Sequence, residues 1–337
     1  MPRPHHPQHP HHPQHTRRLA QALFLTVSVA AGLGSALAAD DWPRAKPIRI
    51  VVPLAPAGPS DIVLRPVAAA MQAALGQAVV VENKPGANGS IGAAEVARAT
   101  PDGYTWLWTM DTVLTINPHI YKNVGYPPGA LVPLNVAAQF SQTLVCGPQT
   151  GFKTVQDMVT ASQSRPLAYA SGGAGSPGHM VMEALLATTG AKMVHIPYKG
   201  PSPAMQDLIG GQVECGFLAG PTVLPQIRNG RLTALATSGK TRSALMPELP
   251  TIAESGFPAF DGSFWIMMVA PKGVPVDIQK RFLATLDKAL QAPEQKERAK
   301  TLDIEMVGST PGEAQARTQA LSDKWGALAR RIQLKAD

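Results

Sequence analysis

The chain has 337 residues, of which 45% are apolar and 16% are charged, and its formal net charge is +7. This composition excludes a largely disordered protein and suits a globular chain long enough for two ordinary domains. The basic excess is spread along the chain without a basic run interleaved with aromatic residues, so no nucleic-acid partner is indicated.

The first 39 residues are interpreted as an export signal outside the fold. A His/Pro-rich tract precedes Arg17 and Arg18, an uncharged apolar run covers 19–37, and Ala36 and Ala38 occupy the positions that a signal peptidase reads. A basic segment, an apolar segment and an A-x-A site in this order predict cleavage near Ala38. The apolar run is nearly long enough to span a membrane. Because it is rich in Ala, Gly and Ser and ends in a cleavage signal, cleavage is favoured over retention as an anchor.

Strands and helices alternate in two blocks of the mature chain. The first block has predicted strands at Ile48–Leu54, Ala78–Glu82 and Tyr104–Met110, and predicted helices at Ser60–Leu75 and Ile91–Ala99. The second has predicted strands at Leu167–Ala170, Met193–Pro197, Val213–Leu218 and Leu232–Thr237, and predicted helices at His179–Thr189, Ala204–Ile209 and Val223–Arg228. Such alternation is typical of parallel sheets with helices on both faces.

Two proline-bearing stretches, 126–149 and 244–275, separate the blocks from each other and from the C-terminal part. We interpret them as irregular connections between two α/β domains. The C-terminal part, 276–332, is predicted to be mostly helical, with a short strand-like segment, DIEMV. It is too short for a third domain and is expected to pack back on one of the other two.

In open α/β sheets, ligands bind beyond the carboxyl ends of the strands, where helices begin. The strand-to-helix loops here, including PLAPAGPSD and SGGAGSPGH, are rich in Gly, Pro, Ser and Ala and carry no cluster of reactive groups. The second loop matches G-x-G-x-x-G at 173–178, but the next strand, MVHIP, ends at Tyr198 and Lys199 without the acidic residue of a dinucleotide site. Its backbone N–H groups, with Ser171 and Ser176, suit a carboxylate better.

No catalytic or metal-binding motif emerges, so no cofactor is predicted. The sequence has no G-x-S-x-G elbow, P-loop or H-E-x-x-H motif, and the histidines after the leader are scattered. His179 follows the Gly-rich turn and is a candidate ligand contact, whereas His195 lies inside a predicted strand and is expected to pack in the core. Cys146 and Cys215 lie in strand-like runs, and both the paired and the unpaired state stay open.

Asp61 and Arg65 stand four residues apart at the start of the first predicted helix. The structural interpretation is that Ser60 is the N-cap, Asp61 complements the helix dipole and Arg65 pairs with Asp61. The functional alternative is that Asp61 faces an amino group of a ligand.

Several segments, in order and spacing, resemble a known family over nearly the whole mature chain. They are KPIRIVVPLAPAGPSDIVLR, LGQAVVVENKPGANGSIGAAEVARATPDGYT, INPHIY, HIPYKGPSPAMQDLIGGQVE, ELPTIAESGFP, APKGVP and VGSTPGE. The chain resembles the substrate-binding receptors of tripartite tricarboxylate transporters, the Bug or TctC family.

The resemblance implies a two-domain type II periplasmic-binding-protein fold, a Venus flytrap in which each domain is a mostly parallel sheet flanked by helices. The expected division is 40–141 plus 265–337 for domain 1 and 142–264 for domain 2, with crossings near 139–143 and 262–266. The implied strand order also brings Cys146 near Cys215. The protein would be a periplasmic, monomeric, non-enzymatic receptor that passes a small carboxylate to membrane transport subunits.

The resemblance also implies a set of ligand-binding residues at the cleft between the domains. They are Ala57, Gly58, Pro59, Ser60, Asp61, Asp111, Thr112, Ser171, Gly172, Gly175, Ser176, His179, Tyr198 and Ala219.

Three departures from the family pattern bear on the ligand. Ala57 stands where the family has a second glycine, Leu64 precedes Arg65 where alanine is usual, and Leu218 and Ala219 replace an Asp-Asn pair. The last change makes one wall more apolar and favours an aromatic or apolar-bodied carboxylate over citrate. Two other functions remain: a ligand sensor for a membrane kinase and, less favoured, a cleft hydrolase.

Overall fold

The computed structural model of the chain describes residues 41–56 and 58–336. The predicted export signal and Ala57 lie outside these ranges. Within them, none of the helices is both long and apolar enough to cross a membrane.

The first sheet has six strands in the order β11-β4-β10-β3-β1-β2. Its strands are β1 (Ile48–Val52), β2 (Val79–Asn83), β3 (Thr105–Met110), β4 (Leu131–Phe140), β10 (Phe264–Pro271) and β11 (Ile304–Met306). β1 pairs in parallel with β2 and β3, whereas β10 runs antiparallel to β3 and β4, and β11 runs antiparallel to β4.

The second sheet has five strands in the order β7-β6-β8-β5-β9. Its strands are β5 (Gln142–Cys146), β6 (Leu167–Ser171), β7 (Met193–Pro197), β8 (Cys215–Ala219) and β9 (Thr233–Thr237). β6 pairs in parallel with β7 and β8, and β5 runs antiparallel to β8 and β9. The predicted α/β fold class is confirmed, but both sheets are mixed, since parallel pairing is limited to three neighbouring strands in each.

Helices flank both sheets. They are α1 (Pro59–Leu75), α2 (Ser90–Ala97), α3 (Thr112–Thr115), α4 (Asn117–Ile120), α5 (Val155–Ser164), α6 (Pro177–Thr189), α7 (Pro201–Ile209), α8 (Gly220–Arg228), α9 (Val276–Leu290), α10 (Pro293–Lys300) and α11 (Pro311–Arg331), with short 3₁₀ turns at Ala87–Gly89 and Pro148–Thr150. The strand–helix alternation predicted in the two blocks is confirmed within a few residues at each boundary.

Two local expectations were wrong. The stretches expected to be irregular contain β4, β5 and β10, which carry the chain between the sheets. The prolines in these stretches led to the expectation of irregular structure. Pro133 is nevertheless accommodated inside β4, because it lies where a register shift interrupts the pairing with β10. The N-cap of α1 is Gly58 rather than Ser60, because Pro59 occupies the first helical turn, a position that favours proline.

The first sheet is covered on both faces by apolar side chains. Trp106 on β3 and Phe282 on α9 stack with ring centroids 3.8 Å apart, and both are fully buried. Trp42 packs in the same cluster and donates from its indole nitrogen to the Gly103 carbonyl at 2.9 Å. Burial of aromatic side chains of this size contributes about 2–3 kcal/mol each, so α9 is firmly attached to this sheet.

The C-terminal helices pack on both sheets rather than on one. α9 and α10 cover the first sheet through residues such as Phe282, Leu286 and Ala299. On α11, Ala314 contacts the opposite face of that sheet, whereas Trp325 and Ala329 belong to the core of the second. This long helix therefore joins the two halves of the molecule.

The chain crosses from the first sheet to the second between Phe140 and Gln142, and it returns to the first at Phe264. Phe140 and Phe264 are register partners, with ring centroids 5.9 Å apart, so the crossings lie side by side. The division into 40–141 plus 265–337 and 142–264 stays a prediction, because α11 contributes to both cores.

Cys146 on β5 and Cys215 on β8 are register partners and form a disulfide. Of the paired and unpaired states that the sequence left open, the structure shows the paired one. The bond links residues 69 positions apart at the centre of the second sheet, where both cysteines are fully buried.

We expect the C146S/C215S double variant to unfold more easily, with a loss of about 2–4 kcal/mol in the free energy of unfolding, because the unfolded chain regains the freedom of a long loop. Urea titration followed by circular dichroism measures the loss. A reductant should lower the stability of the wild type and leave the double variant unchanged. Equal stability of wild type and variant would contradict a structural role for the bond.

Candidate ligand-binding cleft

A cavity of about 330 Å³ lies between the two sheets, beside the carboxyl ends of β1 and β6. This is the position where open α/β sheets bind ligands. Residues of both halves line it: Leu54, Ser60, Asn88, Met110, Phe140, Ser141, Gln142, Gly172, Ser176, Pro177, Gly178, Pro201, Phe217, Leu218, Ala219, Gly220, Pro221, Thr222, Ile266, Leu302, Asp303 and Ile304. Four of the predicted site residues are among them: Ser60, Gly172, Ser176 and Ala219.

Ser60 presents a hydroxyl to the cavity from the first turn of α1. Its oxygen accepts a hydrogen bond from the Trp108 indole nitrogen at 3.0 Å, and Ser60 is only 3% exposed. A hydroxyl that accepts one hydrogen bond still carries its own proton. The Ser60 hydroxyl is therefore available as a donor to an acceptor in the cavity, close to the positive end of the α1 dipole.

Ser176 lies on the facing wall as the N-cap of α6. Its hydroxyl oxygen accepts from the backbone nitrogen of His179 at 3.4 Å, so its proton too can be donated to a ligand. A Cβ at Gly178 would lie 2.2 Å from the Phe217 carbonyl oxygen, so α6 approaches β8 more closely than any side chain would allow. Gly178 thus places the start of α6, and Ser176 with it, at the cavity.

The remaining walls are mainly apolar. Phe140, Ile266 and Ile304 line the cavity from the first sheet, and Phe217 and Leu218 line it from the second. The body of a ligand in this cavity would contact hydrocarbon, which favours an apolar over a highly charged molecule.

Asn88 connects the two sides of the cavity. It adopts the left-handed conformation with φ 49°, and its side-chain amide donates to the Asn117 side chain at 2.8 Å and to the Gly175 carbonyl at 3.3 Å. A Cβ on Gly175 would lie 2.3 Å from the Ile120 side chain. The Gly-rich turn of the second half therefore packs tightly on the first half, and the cleft is closed at this point.

Predicted site residues of the first half lie behind the cavity wall. Asp61 is buried and pairs with Arg65 at 2.8 Å and with the Asn83 amide at 3.0 Å, so the predicted ion pair is confirmed. Asp111 and Thr112 are also buried, and an oxygen of Asp111 accepts from the backbone nitrogen of Trp265 at 3.0 Å. Burial raises the pKa of Asp111 to about 7. Gly58 caps α1 and Pro59 is its first residue, whereas Ala57 lies outside the described ranges.

Predicted residues of the second half support the turn from behind. The Ser171 hydroxyl is 2.7 Å from Nε2 of His195, and Nδ1 of His179 accepts from the Gly175 backbone nitrogen at 3.0 Å. Because that nitrogen is already bonded, Gly175 does not offer it to a ligand. The Tyr198 hydroxyl donates to Asp207 at 2.6 Å.

The rings of His179 and His195 stack with centroids 3.8 Å apart. Burial lowers the pKa of His179 to about 3, with a smaller contribution from His195, and lowers that of His195 to about 4. Both rings are therefore neutral near pH 7. His195 packs against the rings of His179 and Tyr169 as predicted, but it is only partly buried and lies on the edge strand β7 rather than in the core.

The sequence did not point to several lining residues. Asn88 lies in a strand-to-helix loop, which marked its region, but its contact with Gly175 depends on a residue 87 positions away. Phe140 and Ile266 lie in segments interpreted as connections, and Asp303 begins the segment DIEMV, which was predicted to be strand-like. Among the described residues, no group of three or more His, Cys, Asp or Glu could hold a metal ion.

Comparison with known proteins decides the family. The model of the tripartite tricarboxylate transporter family receptor matches residues 63–334. The chain belongs to this receptor family. It is a substrate-binding receptor rather than an enzyme, and receptors of this family are periplasmic.

Individual relatives resemble the receptor over most of their length. It is 33% identical over 304 residues to protein BugT of Bordetella pertussis, covering 89% of this chain and 93% of BugT. The structure of the periplasmic binding protein BugD has 33% identity and a TM-score of 0.75, with 87% of this chain and 99% of BugD covered. The R. palustris protein Rpa4515 with adipate has 29% identity and a TM-score of 0.77, with 86% and 98% covered.

We expect His179→Asn to flatten the dependence of the receptor's stability on pH between about pH 6.5 and 4. The unfolded chain binds a proton at His179 below about pH 6.5, whereas the folded pKa is about 3. The unfolded state therefore holds more protons in this window, and stability falls as the pH falls. Asparagine can accept from Gly175 but does not titrate.

Urea titrations of wild type and variant at four pH values within this window measure the effect. Burial raises the pKa of Asp111, so the folded state binds its proton more readily and Asp111 makes stability rise as the pH falls. This effect is the same in wild type and variant, and it cancels in the difference between their stabilities. Identical slopes of stability against pH would contradict a buried neutral His179.

Proposed function

We propose that this receptor captures a small carboxylate in the cavity between its sheets and delivers it to the membrane subunits of a tripartite tricarboxylate transporter. The observation that carries the proposal is the convergence of two hydroxyl donors, Ser60 and Ser176, on one cavity from opposite halves. Each lies in the first turn or cap of a helix, whose positive end favours an anion. The family and the adipate-bound relative support the same class of ligand.

The predicted ligand-binding set is retained with a division of roles. Ser60, Gly172, Ser176 and Ala219 are proposed to contact the ligand, because they line the cavity. Asp61, Asp111, Ser171, His179 and Tyr198 are proposed to hold those contacts in place through the hydrogen bonds described above. In this proposal Asp61 acts as a helix-start residue neutralised by Arg65.

The apolar walls support a ligand with an apolar body over citrate. Leu218 and Ala219 lie at the end of β8 and line the cavity together with Ile266 and Leu302. A citrate ion would place charged and hydroxyl groups against these side chains without partners, at a cost of a few kcal/mol.

Capture would couple binding to closure. The Asn88 amide and the Gly175 carbonyl approach one another only when the halves are closed, and a ligand that bonds to both Ser60 and Ser176 bridges the same halves. A ligand favours the closed state to the extent that it binds that state better than the open one. Delivery would then require reopening at the side-by-side crossings.

The receptor is proposed to act as a periplasmic monomer after cleavage near Ala38. A sensing role with a membrane kinase is the second candidate, since the same closure would signal occupancy. Transport is favoured because the matching family model is that of a transporter receptor.

Native mass spectrometry of the receptor purified from its periplasm tests the proposal. A co-purified small acid, with calorimetric rebinding after its removal, is the expected result. Recovery of the acid unchanged after prolonged incubation excludes the hydrolase alternative. Binding of a neutral ester or amide as tightly as the acid would overturn the carboxylate assignment.

We expect Ser60→Ala to weaken binding of the identified acid by roughly 10–100-fold, because a hydrogen bond to a charged group contributes about 1.5–3 kcal/mol. Folding should be preserved, since the Trp108 indole nitrogen also lies 3.3 Å from the Ser60 carbonyl oxygen. Calorimetry measures the affinity. Ser164→Ala, at an exposed position on α5, is the matched control and should bind normally. Unchanged affinity of Ser60→Ala would remove Ser60 from the site.

A further inference from the structure

Asp303 is a carboxylate in the wall of the cleft cavity, and it is not one of the residues proposed to contact the ligand carboxylate. It lies between α10 and β11, at the edge of the first sheet opposite to β1 and β2. β11 and β1 are four strand positions apart in the first sheet, so Asp303 lies toward the opposite end of the cavity from Ser60. The apolar walls lie between the two residues.

The backbone of Asp303 adopts the left-handed conformation. Its φ is 55°, in a region that is uncommon for non-glycine residues, although aspartate adopts it more readily than most. Here it accompanies a side chain that points across to the second half of the molecule.

The Asp303 carboxylate contacts the second half at two places. Both oxygens lie 2.8 Å from the Ser243 hydroxyl, and a Cβ at Gly220 would lie 2.8 Å from Oδ2. Gly220 is the first residue of α8 and lines the cavity. The protein's own carboxylate thus stands at a helix start, at the far end of the cavity, where a second anionic group of a ligand would otherwise be favoured.

This carboxylate keeps acceptor capacity for a ligand. The Ser243 hydroxyl donates one proton and the backbone N–H groups of Ala244 and Leu245 also interact with the carboxylate, so part of the roughly four lone-pair positions of its two oxygens is left for a ligand. Burial raises the pKa of Asp303, while the Ser243 hydroxyl and the backbone N–H groups of Ala244 and Leu245 oppose that rise.

Three of the four cations near Asp303 are engaged elsewhere. Asp303 also borders a groove of about 370 Å³, which is lined by Lys240, Arg242, Lys296 and Lys300. Lys240, Arg242 and Lys300 pair with Asp261, Glu254 and Glu297, respectively. Among the described residues, Lys296 forms no ion pair with Asp303. Asp303 therefore lines both the groove and the ligand cavity and lies between them.

We propose that Asp303 determines specificity at the far end of the cleft: it selects carboxylates with an apolar body and a terminal hydrogen-bond donor, and it rejects dicarboxylates. The inference rests on the proposed function, with the ligand carboxylate at Ser60 and Ser176. A hydroxyl at the far end donates to Asp303, whereas a second carboxylate there meets a like charge, which costs several kcal/mol in a partly buried site.

Matched pairs of acids test the selection. Calorimetry compares adipate with ω-hydroxyhexanoate, and terephthalate with para-(hydroxymethyl)benzoate, on the ligand-free wild type. The hydroxy acid of a pair should bind at least about tenfold more tightly than the diacid, since a tenfold ratio corresponds to about 1.4 kcal/mol and a like-charge contact costs more than that. Asp303→Asn, of nearly the same shape, should reduce that preference by about tenfold or more and admit the diacid.

Glu305→Gln is the matched control. Glu305 borders the groove but not the cavity, and its substitution removes the same unit of charge as Asp303→Asn. It should keep the wild-type preference. If Asp303 acted only in closure through Ser243, Asp303→Asn would change the affinities of both acids of a pair equally, and that outcome overturns the proposal.

Two further outcomes also overturn it: a wild type that prefers the diacids, and a wild type that binds none of these acids. Neither outcome contradicts the proposed function, which is judged separately by the acid that co-purifies. Thermal unfolding of both variants verifies that they fold before the affinities are compared.

Discussion

The antiparallel pairing of β4 with β10 is the constraint on which the rest of the structure depends. It joins Phe264 to Phe140 at one end and Pro271 to Leu131 at the other, in the middle of the first sheet. One of these strands leads the chain out to the second sheet and the other brings it back. The two crossings must therefore lie side by side, and the cleft opens between sheets that are tied together at one edge.

The same pairing supplies part of the ligand cavity. Phe140, Ser141 and Ile266 belong to the crossing strands or the residue between them, and all three line the cavity. A hydrogen bond of 2.9 Å between the hydroxyls of Ser141, in the first crossing, and Thr237, at the end of β9, attaches this region to the second sheet. A ligand therefore contacts the segment about which the halves would move, so binding and closure are physically linked.

The cavity separates three kinds of interaction along its length. Hydroxyls at helix starts lie at Ser60 and Ser176, apolar side chains form the middle, and the Asp303 carboxylate stands at the far end. Partly satisfied hydroxyls and helix dipoles bind an anion less strongly than a fully paired guanidinium would. A moderate affinity for the anion suits a receptor that must release its ligand. Specificity can then depend on the Asp303 end of the cavity.

Much of the fold was predictable because local rules govern it. Period-two and helical patterns, together with Gly and Pro between them, located the alternating strands and helices of both blocks. The prediction failed at β4 and β10, which were interpreted as irregular connections. A proline such as Pro133 in β4 is typical of a connection, and only the pairing with the neighbouring strand shows that it lies inside a strand. The prediction failed again at α1, where Pro59 starts the helix one residue earlier than Ser60 would.

By itself, the sequence determined the family, the fold class, the absence of a catalytic motif and the loops that approach the ligand, since these depend on short segments and their order. Only the tertiary structure decided that Cys146 is bonded to Cys215, that Asp61, Asp111 and His179 lie behind the wall, and that Asp303 lies in it. These facts depend on contacts between residues far apart in the chain. Side-chain direction at a sheet edge is set by neighbouring strands and not by adjacent residues.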